Sequence, residues 1–377
     1  QGDVTTAEKV FLKVIVLAPE SIQTRESLAD IYTDKAMFSE ALIHLESICQ
    51  LVPDYNYGRF LLALMKLRFK RFREGWNMYE SRFTGDWQSN GLVDRSDLYE
   101  RKPRLSNCKS GRVLILSEQG IGDQIMFLSI VPELLKGSND ISIQCDSRLH
   151  SILRRSMQDK VKLFSLEDTP CDTQYEYEVP MGSLAMLYRK TIDSYKQSSA
   201  GYLLCDPHRY QAFRDRLSAN VSKLKVGVSW RSSLDRAANR AKSLRLQKLL
   251  NSIALPGMLF VNLQYGDTEV EWSSASIPGT CSKIALPDLD KREDIDGLAA
   301  LIKACDIVVT IDNATAHLSG ALGSPTLLLL PFCCDWRWGI NSPISYWYDS
   351  LLLLRQQSLG EWDCPLSEAR TLLDEFK

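Results

Sequence analysis

Two kinds of hydrophobic pattern alternate along this chain. Residues 307–311, Ile-Val-Val-Thr-Ile, are all β-branched and mostly apolar, which predicts a strand covered on both faces. A polar turn follows, and a helix is expected over 315–322. The longest apolar run, 327–334, is interrupted by Pro331, so its first part reads as another buried strand. The same logic predicts strands at 225–230, 259–263, 283–286 and 325–330, with helices at 246–253 and 295–304 between them. Further upstream, strands are expected at 113–116, 141–145, 161–164 and 177–179, with a helix over 124–135. The amphipathic stretch 366–376 predicts a final helix.

Before residue 85 the period changes from strand-like to helical and repeats itself. Leu17-Ala-Pro-Glu20 recurs as Leu51-Val-Pro-Asp54, and Phe38-Ser-Glu-Ala41 as Phe72-Arg-Glu-Gly75, both shifted by 34 residues. Ala7 and Ala41 match at the same shift. This is the tetratricopeptide period, in which each helix pair covers the apolar face of the next. The repeats read as the second helix of one unit (5–17), a full unit (21–51) and a third from Tyr55 whose last helix runs through 75–83. So few repeats rarely stand alone, so docking on the rest of the chain or on repeats upstream is expected. The predicted organisation is α/β with an N-terminal all-α repeat: repeats at 1–85, a polar linker at 86–110 containing Pro103, two Rossmann-like halves at 111–218 and 219–355, and a closing helix in 356–377. Two such halves in series predict a ligand cleft between them.

Composition narrows the function classes. A net charge of −2 over 377 residues gives no basic footprint for nucleic acid. A local cluster, Lys66, Arg68, Lys70, Arg71 and Arg73, reads as a solvated helix face. No apolar run reaches transmembrane length. Ten cysteines without a CxxC pair, and only four histidines, provide no zinc spacing, so no metal site is expected. Free thiols in a reducing cytoplasm are the expectation.

Three segments carry chemistry. Asp312-Asn-Ala-Thr-Ala-His317 lies where a strand ends and a helix begins, and small residues allow close approach of a guest. The free N–H groups and partial positive charge of a helix start suit a diphosphate, although Asp312 or Thr315 could simply cap the helix. Ser117-Glu-Gln-Gly-Ile-Gly-Asp123 permits a tight strand-to-helix turn that exposes Asp123, a carboxylate able to take a proton from a hydroxyl or to cap the helix. Ser229-Trp-Arg-Ser-Ser233, followed by Arg236, Arg240 and Lys242, ends a strand in hydroxyls and cations that fit phosphate or form a basic loop. In Pro331-Phe-Cys-Cys-Asp-Trp-Arg-Trp338, the tryptophans could stack on a base or sugar or pack the closing segment.

Together with Trp76-Asn-Met-Tyr-Glu-Ser-Arg82 and Val226-Gly-Val-Ser-Trp230, these segments resemble, in order and spacing, bacterial proteins that join tetratricopeptide repeats to a GT-B glycosyltransferase of the heptosyltransferase type (glycosyltransferase family 9-like). The resemblance implies a metal-independent, inverting hexosyl- or heptosyltransferase, with a nucleotide-sugar as substrate and no cofactor. It places Asp123 as catalytic base. Donor contacts fall to Ser229, Arg231, Lys242, Gln264, Asp312, Asn313, Ala314, Thr315 and His317. Gln119, Gly122, Asp335 and Trp336 are candidate sugar or base contacts. The acceptor would be a protein or glycan, engaged through the repeats. One departure is Arg101-Lys-Pro-Arg-Leu105, which stands where relatives often carry a Trp-Asp-Gly-type element. Two other readings compete: a repeat-based protein-binding module on a degenerate nucleotide-binding scaffold, and a sugar-nucleotide epimerase of the same architecture.

Overall fold

The computed structural model describes residues 4–83, 110–168, 175–195, 201–219, 224–232 and 242–376. The predicted linker up to residue 109, the Arg101–Leu105 stretch, Arg236 and Arg240 lie outside these residues. The chain divides into two compact units, one of 1–106, 182–195 and 335–341, the other of 107–181, 196–334 and 342–377.

The first unit opens with helices α1 (Val4–Leu17), α2 (Ile22–Asp34), α3 (Phe38–Leu51), α4 (Asn56–Arg68) and α5 (Phe72–Tyr79). The starts of α1, α3 and α5 are 34 residues apart, as are those of α2 and α4. The turns repeat too: Ala36 and Lys70, 34 apart, both take a left-handed φ (55° and 60°) after the helix end. In each, the following N–H bonds back five residues, Met37 to Tyr32 and Arg71 to Lys66, both at 2.8 Å, which satisfies a terminal carbonyl. Leu28, Ala41, Leu45, Ile48 and Leu62 form the shared core. The small position of the repeat has a packing cause: a Cβ on Gly75 would lie 2.8 Å from the Leu67 side chain.

The expected solvated basic face is corrected at two positions. Lys66 and Arg68 are buried. Lys66 Nζ lies 2.5 Å from Glu74, and the Arg68 guanidinium stands 4.3 Å over the Phe38 ring. Pairing and stacking make that burial tolerable. The segments 182–195 and 335–341, which the pattern assigns to the two α/β halves, pack with the repeats instead. Trp76 Nε1 donates to the Tyr195 hydroxyl at 2.9 Å, and Arg82 donates to Ser183 Oγ at 2.9 Å.

The second unit holds two parallel sheets. The first contains β1 (Ser110–Leu116), β2 (Ser138–Gln144), β3 (Val161–Phe164) and β4 (Tyr177–Pro180) in the order β3-β2-β1-β4. Between β1 and β2 the pattern predicts one helix, but the chain forms two, α6 (Ile121–Leu128) and α7 (Val131–Leu134). Pro132 is the cause, since it has no N–H and its ring would strike the carbonyl four residues back. Helix α8 (His150–Ser156) precedes β3, and α9 (Pro207–Ser218) leads to the second sheet.

That sheet contains β5 (Leu224–Ser229), β6 (Met258–Asn262), β7 (Ser282–Ile284), β8 (Ile307–Ile311), β9 (Thr326–Leu330) and β10 (Leu351–Arg355) in the order β10-β9-β8-β5-β6-β7. Every residue of β5, β6, β8 and β9 is buried, as near-continuous apolar runs in a parallel sheet require. β10 is a strand absent from the sequence reading. The crossing helices are α10 (Leu246–Ile253), α11 (Glu269–Ser274), α12 (Ile295–Ala304) and α13 (Ala314–Ala321). The closing helix α14 (Asp363–Phe376) starts three residues earlier than expected, with Pro365 in its first turn, and packs Leu366 and Leu373 into the sheet core. Ties between the halves include a two-pronged Arg155–Asp296 pair, both contacts at 2.7 Å, and the Tyr202 and Leu203 N–H groups on the Ala321 carbonyl.

Among the described residues no helix is long and apolar enough to cross a membrane. The eight described cysteines are free. Burial pushes the Cys145 thiol up to about 12, which keeps it protonated and inert.

Candidate functional site

The second sheet has the strand order 3-2-1-4-5-6 with β5 as its first strand and β8 as its fourth. Chain connections diverge between these two, and ligands of such sheets bind outside the carboxyl ends at that point. β5 ends at Ser229, and β8 is followed by Asp312 and Asn313.

A buried side-chain network joins the two ends. Asn313 Nδ2 donates to Ser229 Oγ at 2.9 Å, and Ser229 Oγ donates to Gln264 Oε1 at 3.0 Å. Gln264, just past β6, also accepts from the Trp230 and Arg231 N–H groups at 2.8 and 2.9 Å. Asn313 Oδ1 accepts from the N–H groups of Thr315 and Ala316 at 3.0 and 3.3 Å. Asn313 therefore caps α13, the role weighed above for Asp312 or Thr315, and the helix starts one residue earlier than expected. Asp312 instead faces Lys242, whose Nζ lies 3.5 Å from its carboxylate. Thr315 Oγ1 is buried with no hydrogen-bond partner among the described residues. His317, 5% exposed, sets Nδ1 3.0 Å from the Tyr348 hydroxyl.

Asp123 approaches from the first half. Gln119 takes a left-handed φ of 62°, the strained step that lets β1 turn into α6. Asp123 is the third residue of α6, half-buried, and its carboxylate accepts from the Gly120 N–H at 3.3 Å. It serves the helix start and stays at the rim. Gly122 shows why this position lacks a side chain: a Cβ there would lie 3.1 Å from His317 Cδ2 and 3.7 Å from Ala314 Cα. The first turns of α6 and α13 thus abut, and they bring Asp123 and the Asn313–His317 segment into one region.

Three predicted contacts are put to other uses. Arg231 directs its guanidinium to the Asp267 carbonyl and to Glu271 at 3.7 Å. Trp336, 4% exposed, sits edge-on to Trp76 with centroids 5.6 Å apart, inside the repeat unit. Asp335 accepts from the Arg337 guanidinium at 2.7 Å in the same segment. The cause is aromatic burial: the Asp335–Trp338 turn fills the repeat core rather than lying at a strand end.

Beside the Ser229–Gln264–Asn313 network, a cleft of about 640 Å³ opens past β6 and β7, lined in part by Gln264, Tyr265, Asp267, Thr268, Asp288 and Asp290. Of these, only Gln264 was marked from sequence; scattered acids in loops carry no periodicity to flag them. Among the described residues no group of three or more His, Cys, Asp or Glu could hold a metal ion.

No family model matches this chain. It is 26% identical over 397 residues to the protein FlbA of Caulobacter vibrioides, with all of this chain and 65% of that protein aligned. The chain thus spans just under two thirds of that relative's length. Among solved structures, it superimposes on the Escherichia coli ADP-heptose LPS heptosyltransferase II with a TM-score of 0.48 and 14% identity, over 70% of this chain and 98% of that one. Against the glycosyl transferase family 9 protein of Veillonella parvula the values are 0.44 and 12%, over 70% and 95% of the two chains.

Proposed function

We propose that this chain is an inverting, metal-independent glycosyltransferase that moves a sugar from a nucleotide-sugar to an acceptor hydroxyl. The observation that carries the reading is the abutment of the α6 and α13 first turns, with Gly122 against His317 and Ala314. It sets a carboxylate beside a helix N-terminus built at a topological switch point.

In this reading the donor diphosphate sits at the α13 start, where Asn313 leaves the remaining N–H groups of the first turn for an anion. The buried Thr315 hydroxyl and Lys242 complete its surroundings, and the cleft past β6 and β7, within the size range of small-molecule sites, takes the nucleoside. Asp123 removes the acceptor proton as the oxygen attacks the anomeric carbon. The bond to the diphosphate breaks on the opposite face, which inverts the centre. The helix N–H groups, Lys242 and His317 stabilise the charge that builds on the leaving diphosphate, the role a metal would otherwise fill. The tetratricopeptide-type repeats present the acceptor, a protein or a glycan attached to one, in the cytoplasm where the cysteines stay reduced.

A thermal-shift screen against UDP-, GDP-, ADP-, CMP- and dTDP-sugars tests the donor site, because a ligand that binds only the native state raises the melting temperature. A shift with one nucleotide, lost in Lys242→Ala, supports the site and names the base. No shift with any of them sinks the reading and leaves the repeats as the functional part.

A further inference from the structure

His317 is held from a segment with no helical or strand periodicity. Its Nδ1 lies 3.0 Å from the Tyr348 hydroxyl, and the two rings meet edge to face with centroids 5.8 Å apart. Tyr348 is 1% exposed. Its ring fits because residue 320 is glycine: a Cβ there would lie 2.4 Å from Tyr348 Cγ. Next to it, Trp347 stands edge-on to Phe127 of α6, 6.1 Å away at 87°. The turn that carries both is fixed at its base, with the Ser345 N–H on the Leu351 carbonyl and the Leu351 N–H on the Tyr348 carbonyl, each at 3.1 Å. One aromatic strap before β10 therefore touches both helices whose first turns form the site. The opposite edge of the imidazole, at Cδ2, borders Gly122 in the turn that carries Asp123.

We infer that Tyr348 is a positioning residue: it donates its hydroxyl hydrogen to His317 Nδ1, which puts the ring proton on Nε2 and fixes His317 as a donor for the leaving diphosphate. A neutral imidazole has one donor and one acceptor nitrogen. A phenol is a stronger acid than a neutral imidazole N–H, and an imidazole nitrogen is a stronger base than a phenol oxygen, so the pair settles with Tyr348 donating. The catalytic role rests on the transferase reading above; the tautomer does not. Without the hydroxyl, Tyr348 no longer favours the proton on Nε2, and this hydrogen bond no longer presets the donor when charge develops on the leaving group.

Long-range ¹H–¹⁵N spectra of the full chain test this directly. There are four histidines, and His317 is assigned by its loss in His317→Gln. The wild type is expected to show the Nε2–H tautomer, and Tyr348→Phe a shift of the balance towards Nδ1–H. In the same variant kcat for transfer should fall about tenfold, the scale of one hydrogen bond, with donor KM held within about threefold. An Nδ1–H signal in the wild type overturns the inference even if the variant does not fold. An unchanged His317 signal in Tyr348→Phe overturns it as well, and a changed tautomer with unchanged kcat removes the positioning role. A wild type that transfers no sugar overturns the transferase reading alone, because the tautomer is read without turnover.

Discussion

Both sheets of the α/β unit start from the same order, 3-2-1-4, but they end differently. The second adds β9 and β10 and joins its two central strand ends by buried side chains, Asn313 to Ser229 to Gln264. The first has four strands among the described residues, and its central strand runs into a turn strained at Gln119 whose carboxylate, Asp123, accepts from the Gly120 N–H. A satisfied network holds a surface in one shape, which suits binding. A half-buried carboxylate beside a helix start suits the work of a general base. On the transferase reading, grip falls to the second half and reaction to the first.

The largest expected effect breaks that division at Asp123. Asp123→Ala should lower transfer by about 10²–10⁴-fold, the usual worth of a general base, with nucleotide affinity nearly unchanged. Turnover by the variant at the wild-type rate would remove Asp123 from the base role. Loss of nucleotide binding would instead show that the two halves are not separable in this way.

Next in size is Gln264→Ala. Its Oε1 accepts from the Ser229 hydroxyl and from the Trp230 and Arg231 N–H groups. Removing it strands buried donors, at about 2–4 kcal/mol in total, read as a drop in the urea midpoint. An unchanged midpoint would mean that the network is not what holds the second switch point. Lys242→Ala sharpens the same point from outside the network. Its partner Asp312 follows β8, and removal of the cation should weaken nucleotide binding about tenfold by calorimetry with little change in stability.

Legibility from sequence follows this same division. Strands β3 and β8 and helices α10 and α12 match their predicted spans; for β8 and the two helices the reason is that an apolar run and 3.6-residue spacing state burial directly. The 34-residue recurrence is equally plain. Of the candidate site, the placement of Asp312–His317 between a strand end and a helix start is legible because the two adjoin in the chain. What brings Asp123 to it, Gly122 against His317, depends on the docking of two helices from different halves, and no local pattern encodes that. Tyr348 and the acids of the β6–β7 cleft escaped for the same reason. Trp336 misled because an aromatic after a strand looks the same whether it faces a ligand or a neighbouring helix. Lys66 and Arg68 misled because charge pattern alone cannot show which cations pack inward.

The smallest effect concerns what ties α9, which leads out of the first half, to the second. Arg209 Nη1 donates to Asp294 at 2.9 Å, and Asp294 also caps α12 by accepting from the Gly297 N–H at 2.8 Å. The Arg209 hydrogen bond, assisted by the cap, holds the Asp294 carboxyl below the usual carboxylate range. A depressed folded value means the contribution to stability is fully present above the unfolded value, near 3.9, and is lost as pH falls through the folded one. Asp294→Asn keeps the cap, since Asn caps as well as Asp, and removes the charge together with the oxygen that accepts from Arg209 Nη2. At about pH 7 it should therefore cost under ~1 kcal/mol, as partly exposed pairs do. Urea midpoints of wild type and variant should draw together as the pH falls from about 4 through the depressed folded value. A gap that persists in acid would show that residue 294 acts through its cap or its packing, and that the charge pair adds nothing to the tie.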